Sequence, residues 1–420
     1  MTEKLYYDDP YLREFTAEII QKEKIDKRWR IQLSHTAFYP EGGGQPGDKG
    51  TLNDIPVTHV QKEEDQIYHY MDELPESSTV SGVIDWNYRF DYMQQHTGQH
   101  ILSAVLKRIL GASTVAVHQA DDYTSIEIDL SEISTENLEL IEDAANGLVC
   151  ANHPVYSYLN GEIPVSLFPL RRETKRTENV RLLQIGGDSL EGSSLKDLEK
   201  ASLMLSGDFD VFTGALKDLA ACGGVHLCRT GEVGLIKYKG QEKVRGHLRL
   251  FWLIGNRAYR DYREKTEISD RMSEALSVPL KGIMREFDRI LSSLGEEKKR
   301  NSGLLKEMAF LKAEEIRNEN LEGKKSFVLH EADSAYFKKI IITLSSFRHV
   351  SLCVLNVQGE EGQWAVVSTG EEEFDFNRFR SELLPLVQGK GGGKSPLWQG
   401  KLGNCSALEE FQKQFSLPLT

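Results

Sequence analysis

Two short histidine and cysteine motifs, separated by about 120 residues, constrain the fold of this chain more than any other feature. The first is His96-Thr-Gly-Gln-His100, and the second is Cys222-Gly-Gly-Val-His226. Histidines four residues apart on a helix lie on the same face, about one turn from each other. Three imidazoles and one thiolate are ligands that suit tetrahedral Zn²⁺. A chain that binds one zinc ion in this way must fold so that two distant segments meet.

The first motif excludes one common class of zinc enzyme. The zinc-binding helix of a metalloprotease carries His-Glu-x-x-His, in which the glutamate is the general base. Here the two histidines are separated by Thr97, Gly98 and Gln99, so no carboxylate follows the first histidine. The sequence therefore predicts a zinc site without protease chemistry.

Length and composition indicate a globular protein of several domains. A chain of 420 residues with 40% hydrophobic content can bury cores of two to four domains. No apolar run reaches the roughly 18 residues of a membrane span, and the acidic N-terminus lacks the apolar segment of a secretory signal. The five scattered cysteines do not resemble a disulfide framework. We expect a cytoplasmic protein that does not associate with membranes.

The net charge of −13 argues against broad, non-specific binding of nucleic acid. Local basic surfaces are compatible with that charge, and two stretches are candidates. One runs from Arg171 to Arg176 and the other from Lys237 to Arg249. From the sequence, each is either an RNA contact or an ordinary solvated face.

The order of apolar and turn segments predicts an α+β protein in four parts. Residues 1–84 alternate short apolar runs with turn signals, as in a small β-barrel. Residues 85–264 begin with an amphipathic helix that carries the histidine pair and ends before Gly111, and strands and a second helix at 135–152 follow. This is the predicted α+β domain that contains the zinc. A helical arm is expected over 265–322, and a C-terminal α/β domain over 323–420.

The helical arm contains a heptad pattern. Apolar residues recur at spacings of three and four from Leu280 to Leu294, and the same phase returns from Leu304 to Leu311. Glu297 and Asn301 occupy core positions between them, which indicates a break. The pattern over 280–311 is typical of a coiled coil that forms a homodimer, or of an arm that folds back on its own domain. Self-association is the interpretation we favour.

A glycine run near the C-terminus is a candidate phosphate site. It reads Gly389-Lys-Gly-Gly-Gly-Lys394, and its unshielded backbone amides lie beside two lysines. The sequence predicts a Gly-rich loop here. A flexible loop without a ligand is the alternative.

The residues around these motifs resemble the alanyl-tRNA editing proteins of the AlaX family and the editing region of alanyl-tRNA synthetases. Three stretches carry the resemblance: Thr36-Ala-Phe-Tyr-Pro-Glu-Gly-Gly-Gly-Gln-Pro-Gly-Asp48, the segment from Asp85 to Ser103, and the segment from Cys222 to Gly234. The C-terminal glycine run resembles the DHH-associated domain of the long members of this family. The chain starts at the barrel with no aminoacylation domain before it, which favours a free-standing editing protein.

The resemblance implies a trans-editing hydrolase. Its substrate would be tRNA(Ala) mischarged with serine, or with glycine, and the ester would be hydrolysed without ATP. One Zn²⁺ per chain would be held by His96, His100, Cys222 and His226. By the same resemblance, Thr36 would contact the substrate hydroxyl and act with Gln45 in catalysis. The remaining residues implied are Gly42, Gly43, Gly44 and Arg89 for the terminal adenosine or ester, and Lys390, Gly391, Gly392, Gly393 and Lys394 for the tRNA.

Two departures from the family pattern concern substrate access. Val225 stands where the family usually has threonine, and Gly186 to Phe209 is extra sequence that would alter access if it covered the pocket.

Three protein ligands would leave zinc able to bind water or substrate, whereas four would make it structural. We expect His226 to be the ligand that exchanges, because its loop is rich in glycine.

Two other functions stay open at this point. One is the editing domain of threonyl-tRNA synthetases, which joins the same two kinds of metal motif. The other is a non-catalytic tRNA-binding module that zinc stabilises.

Overall fold

The computed structural model describes residues 2–207, 210–211, 215–370 and 374–415. It consists of two compact units, Met1–Asp270 and Arg271–Thr420. Both units combine helices with sheets, so the predicted α+β class agrees with the structure. Among the described residues, no helix is both long enough and apolar enough to cross a membrane.

The first unit begins with a curved sheet of seven strands. The strand order is β6-β5-β9-β2-β3-β8-β7, and β6 also lies against β8, so the sheet nearly closes, as expected for a small barrel. Every second residue of β9 is buried, because alternate side chains of a strand point to opposite faces. The elements of this region are β1 (Glu3–Lys4), α1 (Leu5–Asp8), β2 (Glu14–Ile25), β3 (Arg28–Leu33), β4 (His35–Thr36), β5 (Gly50–Leu52), β6 (Ile55–Val57), β7 (His59–Glu63), β8 (Gln66–Met71) and β9 (Thr79–Ile84).

Two antiparallel sheets and four helices follow the barrel. The sheets have the orders β10-β11-β16-β15 and β12-β13-β14. The elements are α2 (Trp86–Leu110), β10 (Thr114–Gln119), β11 (Thr124–Ile128), α3 (Thr135–Cys150), β12 (Val155–Leu159), β13 (Arg181–Ile185), α4 (Leu195–Ser206), β14 (Asp218–Ala221), β15 (Ile236–Val244), β16 (His247–Ile254) and α5 (Asn256–Leu276).

Helix α2 is the central element of the first unit. The side chain of Asp85 caps it by accepting a hydrogen bond from the amide of Tyr88, and Gly111 ends it with a φ of 68°. These limits confirm the predicted helix and its stop at Gly111. Its middle is buried on all sides, and a Cβ at Gly98 would lie 2.7 Å from Ile254 Cγ2. Glycine is therefore required where the end of β16 crosses this helix.

One apolar core extends from the barrel into the rest of the first unit. It includes Phe38 of the barrel region, Met93 of α2 and Trp252 of β16, all of which are fully buried. The domain boundary that we expected at residue 84 therefore falls between two segments that share one core.

The second unit is a mixed sheet with helices on it. Its strand order is β17-β18-β19-β21-β20, in which β17 and β18 are parallel. Ala313 and Ile340, from two helices, pack in one core, and Trp364 and Phe411 pack in another. Its elements are α6 (Ile283–Leu321), β17 (Ser326–His330), α7 (Ser334–Ser346), β18 (Ser351–Gln358), β19 (Glu361–Ser368), α8 (Phe376–Arg378), β20 (Lys390–Lys394), β21 (Leu397–Leu402) and α9 (Leu408–Phe415).

Two predictions for this unit are wrong. The glycine run is an edge strand, β20, rather than a loop: a Cβ at Gly391 or Gly393 would lie 2.3 Å from a carbonyl oxygen of β21. Glycine thus permits close strand pairing there. Helix α6 continues through Glu297 and Asn301 without the expected break. Both residues are exposed, so their polar side chains are hydrated and cost the helix little.

Arg89 is part of the framework that supports the site. Its side chain is fully buried, and its guanidinium donates to both carboxylate oxygens of Asp48 and to the carbonyls of Pro10 and Ala37. These bonds tie α2 to the loop after β4 and to the N-terminal segment. All of these acceptors belong to the protein itself, so the contact with substrate expected of Arg89 is not supported.

We predict that Arg89→Met destabilises the first unit by about 3–5 kcal/mol, since it leaves the buried carboxylate of Asp48 without its cation. Hydrogen exchange of the buried α2 amides in the full chain measures this free energy of opening. Arg28→Met is the matched control, because the Arg28–Asp72 pair is largely exposed and should contribute almost nothing. Equal exchange rates in the parent and in Arg89→Met would contradict the framework role.

Candidate metal centre

The four side chains of the two motifs come together in the structure. One ligand atom from each of His96, His100, Cys222 and His226 lies within 4.8 Å of all the others. The Sγ atom of Cys222 is 3.3 Å from Nε2 of His96 and 3.2 Å from Nε2 of His226. The fold therefore joins the helix α2 to the loop after β14 at the place that the sequence predicted.

Two of these distances fit a tetrahedral metal ion. Zinc bonds of about 2.3 Å to sulfur and 2.0–2.1 Å to nitrogen place neighbouring ligand atoms roughly 3.5 Å apart at tetrahedral angles. The two measured sulfur–nitrogen separations are close to that value. The donor set of one thiolate and three imidazoles also suits zinc better than a hard cation. The cluster is thus a candidate metal centre, and zinc is the ion that it fits best.

A buried glutamine orients the first ligand. The Oε1 atom of Gln45 lies 2.7 Å from Nδ1 of His96 and accepts a hydrogen bond of 3.3 Å from the amide of Val225. With the proton on Nδ1, the Nε2 atom of His96 is free to bind a metal. Gly224 allows this packing, because a Cβ there would lie 2.2 Å from the ring of His96. Gln45 is almost fully buried and is better described as a positioning residue than as a catalytic one.

A threonine inside the first motif orients the last ligand. The hydroxyl of Thr97 lies 3.5 Å from Nδ1 of His226 and accepts a hydrogen bond from the amide of Leu227. His226 is 4% exposed and does not line the cleft described below. This packing gives no support to the expectation that His226 is the ligand that exchanges. Val225, which stands where the family usually has threonine, is buried in the apolar core, an environment that suits an apolar side chain.

Two residues that the sequence analysis did not assign to the site, Arg171 and Asp218, lie beside His100. Nδ1 of His100 lies 3.9 Å from Oδ2 of Asp218 and 3.4 Å from Nη2 of Arg171. Arg171 donates to Asp218 and to the carbonyl of His100. Asp218 is only four residues before Cys222, so its strand could have suggested this role, whereas the position of Arg171 depends on tertiary folding.

The electrostatics of the cluster favour a deprotonated thiol. Burial raises the pKa of Cys222, but the three neighbouring imidazoles outweigh it and bring the pKa well below its ordinary value. Burial also lowers the pKa of His226 to about 3, together with the charge of His96. For His100, the lowering caused by burial is exceeded by the effect of Cys222 and Asp218, which raises its pKa. A thiolate and a neutral His226 are the forms that bind metals.

A large basic cleft opens over the metal centre. It has a volume of about 1280 Å³, and His96, His100 and Cys222 form part of its lining. The cleft is rich in cations although the chain as a whole carries a charge of −13. Three carboxylates line it, those of Glu41, Asp65 and Glu173. The lining cations are Lys4, Lys62, Lys107, Arg171, Arg172, Lys175, Arg176 and Arg181.

The extra sequence from Gly186 onward lies elsewhere. Its helix α4 packs through Leu198 into a separate apolar cluster with Tyr158 and Phe168. Among its described residues, none lines the cleft, and residues 208–209 lie outside the described part of the chain. The cleft is bordered instead by the stretch from Arg171 to Arg181, part of which the sequence marked as a basic patch.

The glycine loop contributes to the cleft in part. Gly42 and Gln45 exchange backbone hydrogen bonds of 3.0 Å, so the amide of Gly42 is occupied. Gly43 and Gly44 form the tip of this tight turn with φ angles of 62° and 87°. Gly42 and Gly43 line the cleft, whereas Gly44 packs against the carbonyl of Val117. The sequence analysis assigned the amides of Gly42, Gly43 and Gly44 to the substrate. Among these three, Gly43 is the residue that lines the cleft and whose amide is not used in the backbone hydrogen bonds between Gly42 and Gln45.

Thr36 lies in the core of the barrel. Its hydroxyl is 2.8 Å from Nε2 of His69 and accepts a hydrogen bond from the amide of Phe38. Burial lowers the pKa of His69 to about 4, so this imidazole is neutral at pH 7. Thr36 is fully buried and is absent from the lining of the cleft. This geometry gives no support to the expected contact with the substrate hydroxyl.

The sequence comparisons agree with the motifs. The chain is 28% identical over 434 residues to the alanyl-tRNA editing protein AlaX-L of Pyrococcus horikoshii, and the match covers 96% of this chain and 95% of that protein. An alanyl-tRNA editing protein of Danio rerio is 28% identical with the same coverage. Along nearly its whole length, the chain resembles alanyl-tRNA editing proteins. The resemblance inferred from the sequence is therefore confirmed.

The chain also matches part of a larger enzyme. It is 30% identical over 421 residues to the alanine–tRNA ligase of Pyrococcus furiosus, but spans only 43% of that protein's length. No family model matches the chain. Among solved structures, the C-Ala domain of alanyl-tRNA synthetase from Aquifex aeolicus covers 22% of this chain and 86% of its own at 16% identity, with a TM-score of 0.20. A score that low does not indicate a shared fold.

We predict that Asp218→Asn weakens zinc binding about 10- to 100-fold, because the neutral amide no longer supports His100 and leaves Arg171 without its carboxylate. The dissociation constant is measured by competition with a chromophoric chelator. Asp188→Asn is the control, since Asp188 is exposed and belongs to the same unit. Equal affinity of Asp218→Asn and the parent would show that Asp218 does not support the ligand.

Proposed function

We propose that the protein is a trans-editing hydrolase that removes serine, and also glycine, from mischarged tRNA(Ala) in the cytoplasm without ATP. The alanyl-tRNA editing proteins that it resembles over nearly its whole length support this reaction class. The observation that carries the proposal is the position of the metal centre at a cation-rich cleft in an acidic chain. Such a cleft attracts a polyanion locally, although the chain as a whole is acidic.

The reaction requires little covalent chemistry from the protein. An aminoacyl ester of ribose is an activated bond, so positioning of water and stabilisation of the oxyanion are the main tasks. When bound, Zn²⁺ supplies a fixed positive charge at the cleft wall. His96, His100, Cys222 and His226 would hold it, and the first three of them also face the cleft. The amide of Gly43 is a candidate donor to the ester carbonyl.

We also propose that the protein forms a homodimer through residues 280–311. Helix α6 presents apolar side chains of the heptad to solvent over this range, for example Leu304 and Leu311, which are 53% and 65% exposed. An apolar stripe on a helix is normally buried against a partner. The heptad spacing of these residues matches a second helix of the same kind.

The editing proposal predicts selective deacylation. Purified zinc-loaded protein should hydrolyse Ser-tRNA(Ala) and Gly-tRNA(Ala) at least tenfold faster than Ala-tRNA(Ala), measured by release of radiolabelled amino acid. His100→Ala and Cys222→Ala should lower the rate at least about 100-fold, because each removes a metal ligand. Cys228→Ala is the matched control, since this nearby thiol is exposed and outside the ligand set.

If folded, zinc-loaded protein hydrolyses none of the three esters but still binds tRNA, the non-catalytic tRNA-binding module would replace this proposal. Turnover of Ser-tRNA(Thr) in place of Ser-tRNA(Ala) would instead favour the threonyl type of editing domain.

The dimer proposal predicts a mass near twice 47.5 kDa by light scattering. Leu291→Glu combined with Leu294→Glu should convert the protein to a monomer, since both side chains belong to the exposed apolar stripe. Lys299→Glu changes charge on the same helix outside the stripe and should leave the dimer intact. A monomeric parent at micromolar concentration would contradict the proposal.

A further inference from the structure

The wall of the cleft beside the metal loop is aromatic. Tyr6, Tyr7 and Tyr39 all contribute to it. The ring of Tyr6 is 4.5 Å from that of Tyr7 and 5.5 Å from that of Tyr39, both in edge-on arrangements. Tyr6 and Tyr39 are almost completely buried, whereas Tyr7 is partly exposed. The ring that is accessible from the cleft is therefore mainly that of Tyr7.

An arginine covers this tyrosine. The guanidinium carbon of Arg181 lies 4.0 Å from the ring centroid of Tyr7, and its Nη2 atom donates to the carbonyls of Tyr7 and Ser157 at 3.4 Å. Arg181 lines the cleft, and no carboxylate of the described residues pairs with it. Its Nε atom is buried without an acceptor. Arg181 is thus a cation held against an aromatic ring; the charges of Asp8 and Cys222 act on it, but it forms no ion pair with a described carboxylate.

The tyrosine is tied to the metal loop. The hydroxyl of Tyr7 donates a hydrogen bond of 3.0 Å to the carbonyl of Gly223, the residue after the metal ligand Cys222. The Tyr7–Arg181 pair is therefore held at a constant distance from the metal centre. A group bound to this pair would lie next to any bond positioned at the metal.

Two other cations that line the cleft, Lys107 and Arg172, lie near the end of α2 and the start of β10. Helix α2 advances about 1.5 Å per residue, so Lys107 is roughly 10 Å beyond His100 along the helix axis. Lys107 donates to the hydroxyl of Ser113, and Arg172 donates to the carbonyl of Thr114. Lys107 and Arg172 are therefore cations of the cleft at the end of α2, whereas the charge of Arg176 also reaches Tyr7.

We propose that Tyr7 and Arg181 form the subsite that binds the terminal nucleobase of the RNA substrate by stacking, and that the phosphodiester chain leaves over Lys107 and Arg172. This inference rests on the proposed editing function. Bases stack on aromatic rings and on arginine planes, whereas phosphates are bound by exposed lysines and arginines. The ester and the terminal base are attached to the same ribose, which matches the direct link from Tyr7 to the metal loop.

The test compares two ligands that cannot be hydrolysed. One is a seryl-amide analogue of the terminal adenosine, and the other is the same analogue without its base. Calorimetry on the zinc-loaded full chain should show that the parent binds the complete analogue about tenfold or more tightly than the baseless one. Tyr7→Leu and Arg181→Lys should lose this difference and still bind the baseless analogue as the parent does.

Two further variants serve as controls. Tyr7→Phe keeps the ring and should keep the preference for the complete analogue. Lys107→Ala should bind both analogues as the parent does, but should bind whole tRNA more weakly and with a shallower salt dependence, because it removes one of the proposed phosphate contacts.

Several results would overturn the subsite. A parent that deacylates Ser-tRNA(Ala) but binds both analogues equally well would refute it while leaving the editing function intact. Equal weakening of both analogues by Tyr7→Leu would assign Tyr7 to the support of the metal loop instead. If Arg181→Lys changed only the salt dependence of tRNA binding, Arg181 would be a phosphate contact. Absence of any deacylation by the parent would refute the editing function and this inference with it.

Discussion

The convergence of Cys222 with three histidines is the interaction on which the rest of the first unit depends. It joins a helix to a loop more than 100 residues later in the chain, and both partners are largely buried. Closing such a long loop has an entropic cost, which a shared apolar core and metal binding can offset. The close approach also explains two glycines, because a side chain at Gly98 would collide with Ile254 and one at Gly224 with His96.

Around this cluster, each imidazole is held by a different kind of partner. Gln45 supports His96 by an amide oxygen, Thr97 supports His226 by a hydroxyl, and Asp218 with Arg171 supports His100 by charge. Such partners favour one tautomer and one direction for each ligand. Three of the ligands still line the cleft. The cluster therefore packs against the core on one side and borders the cleft on the other.

The cleft is a basic region in an acidic protein. A charge of −13 repels nucleic acid in general, whereas the basic lining of the cleft attracts it at one place. Within the cleft, Arg181 lies against Tyr7, and Lys107 bonds to Ser113 beyond the end of α2. In the arrangement we propose, the base of a bound RNA end would stack beside the metal loop and its backbone would leave over Lys107.

Sequence alone predicted the four residues that form the candidate metal centre, the helix that carries two of them, and the resemblance to alanyl-tRNA editing proteins. These features are local: a spacing of four residues, a cap at Asp85 and a stop at Gly111 need no knowledge of the rest of the chain. Tertiary structure decided which polar residues face the cleft. Thr36, Arg89 and Gln45 are buried in hydrogen bonds to His69, Asp48 and His96, and the glycine run forms an edge strand. Arg181 and Tyr7 meet across more than 170 residues, a contact that depends on packing and leaves no local pattern in the sequence.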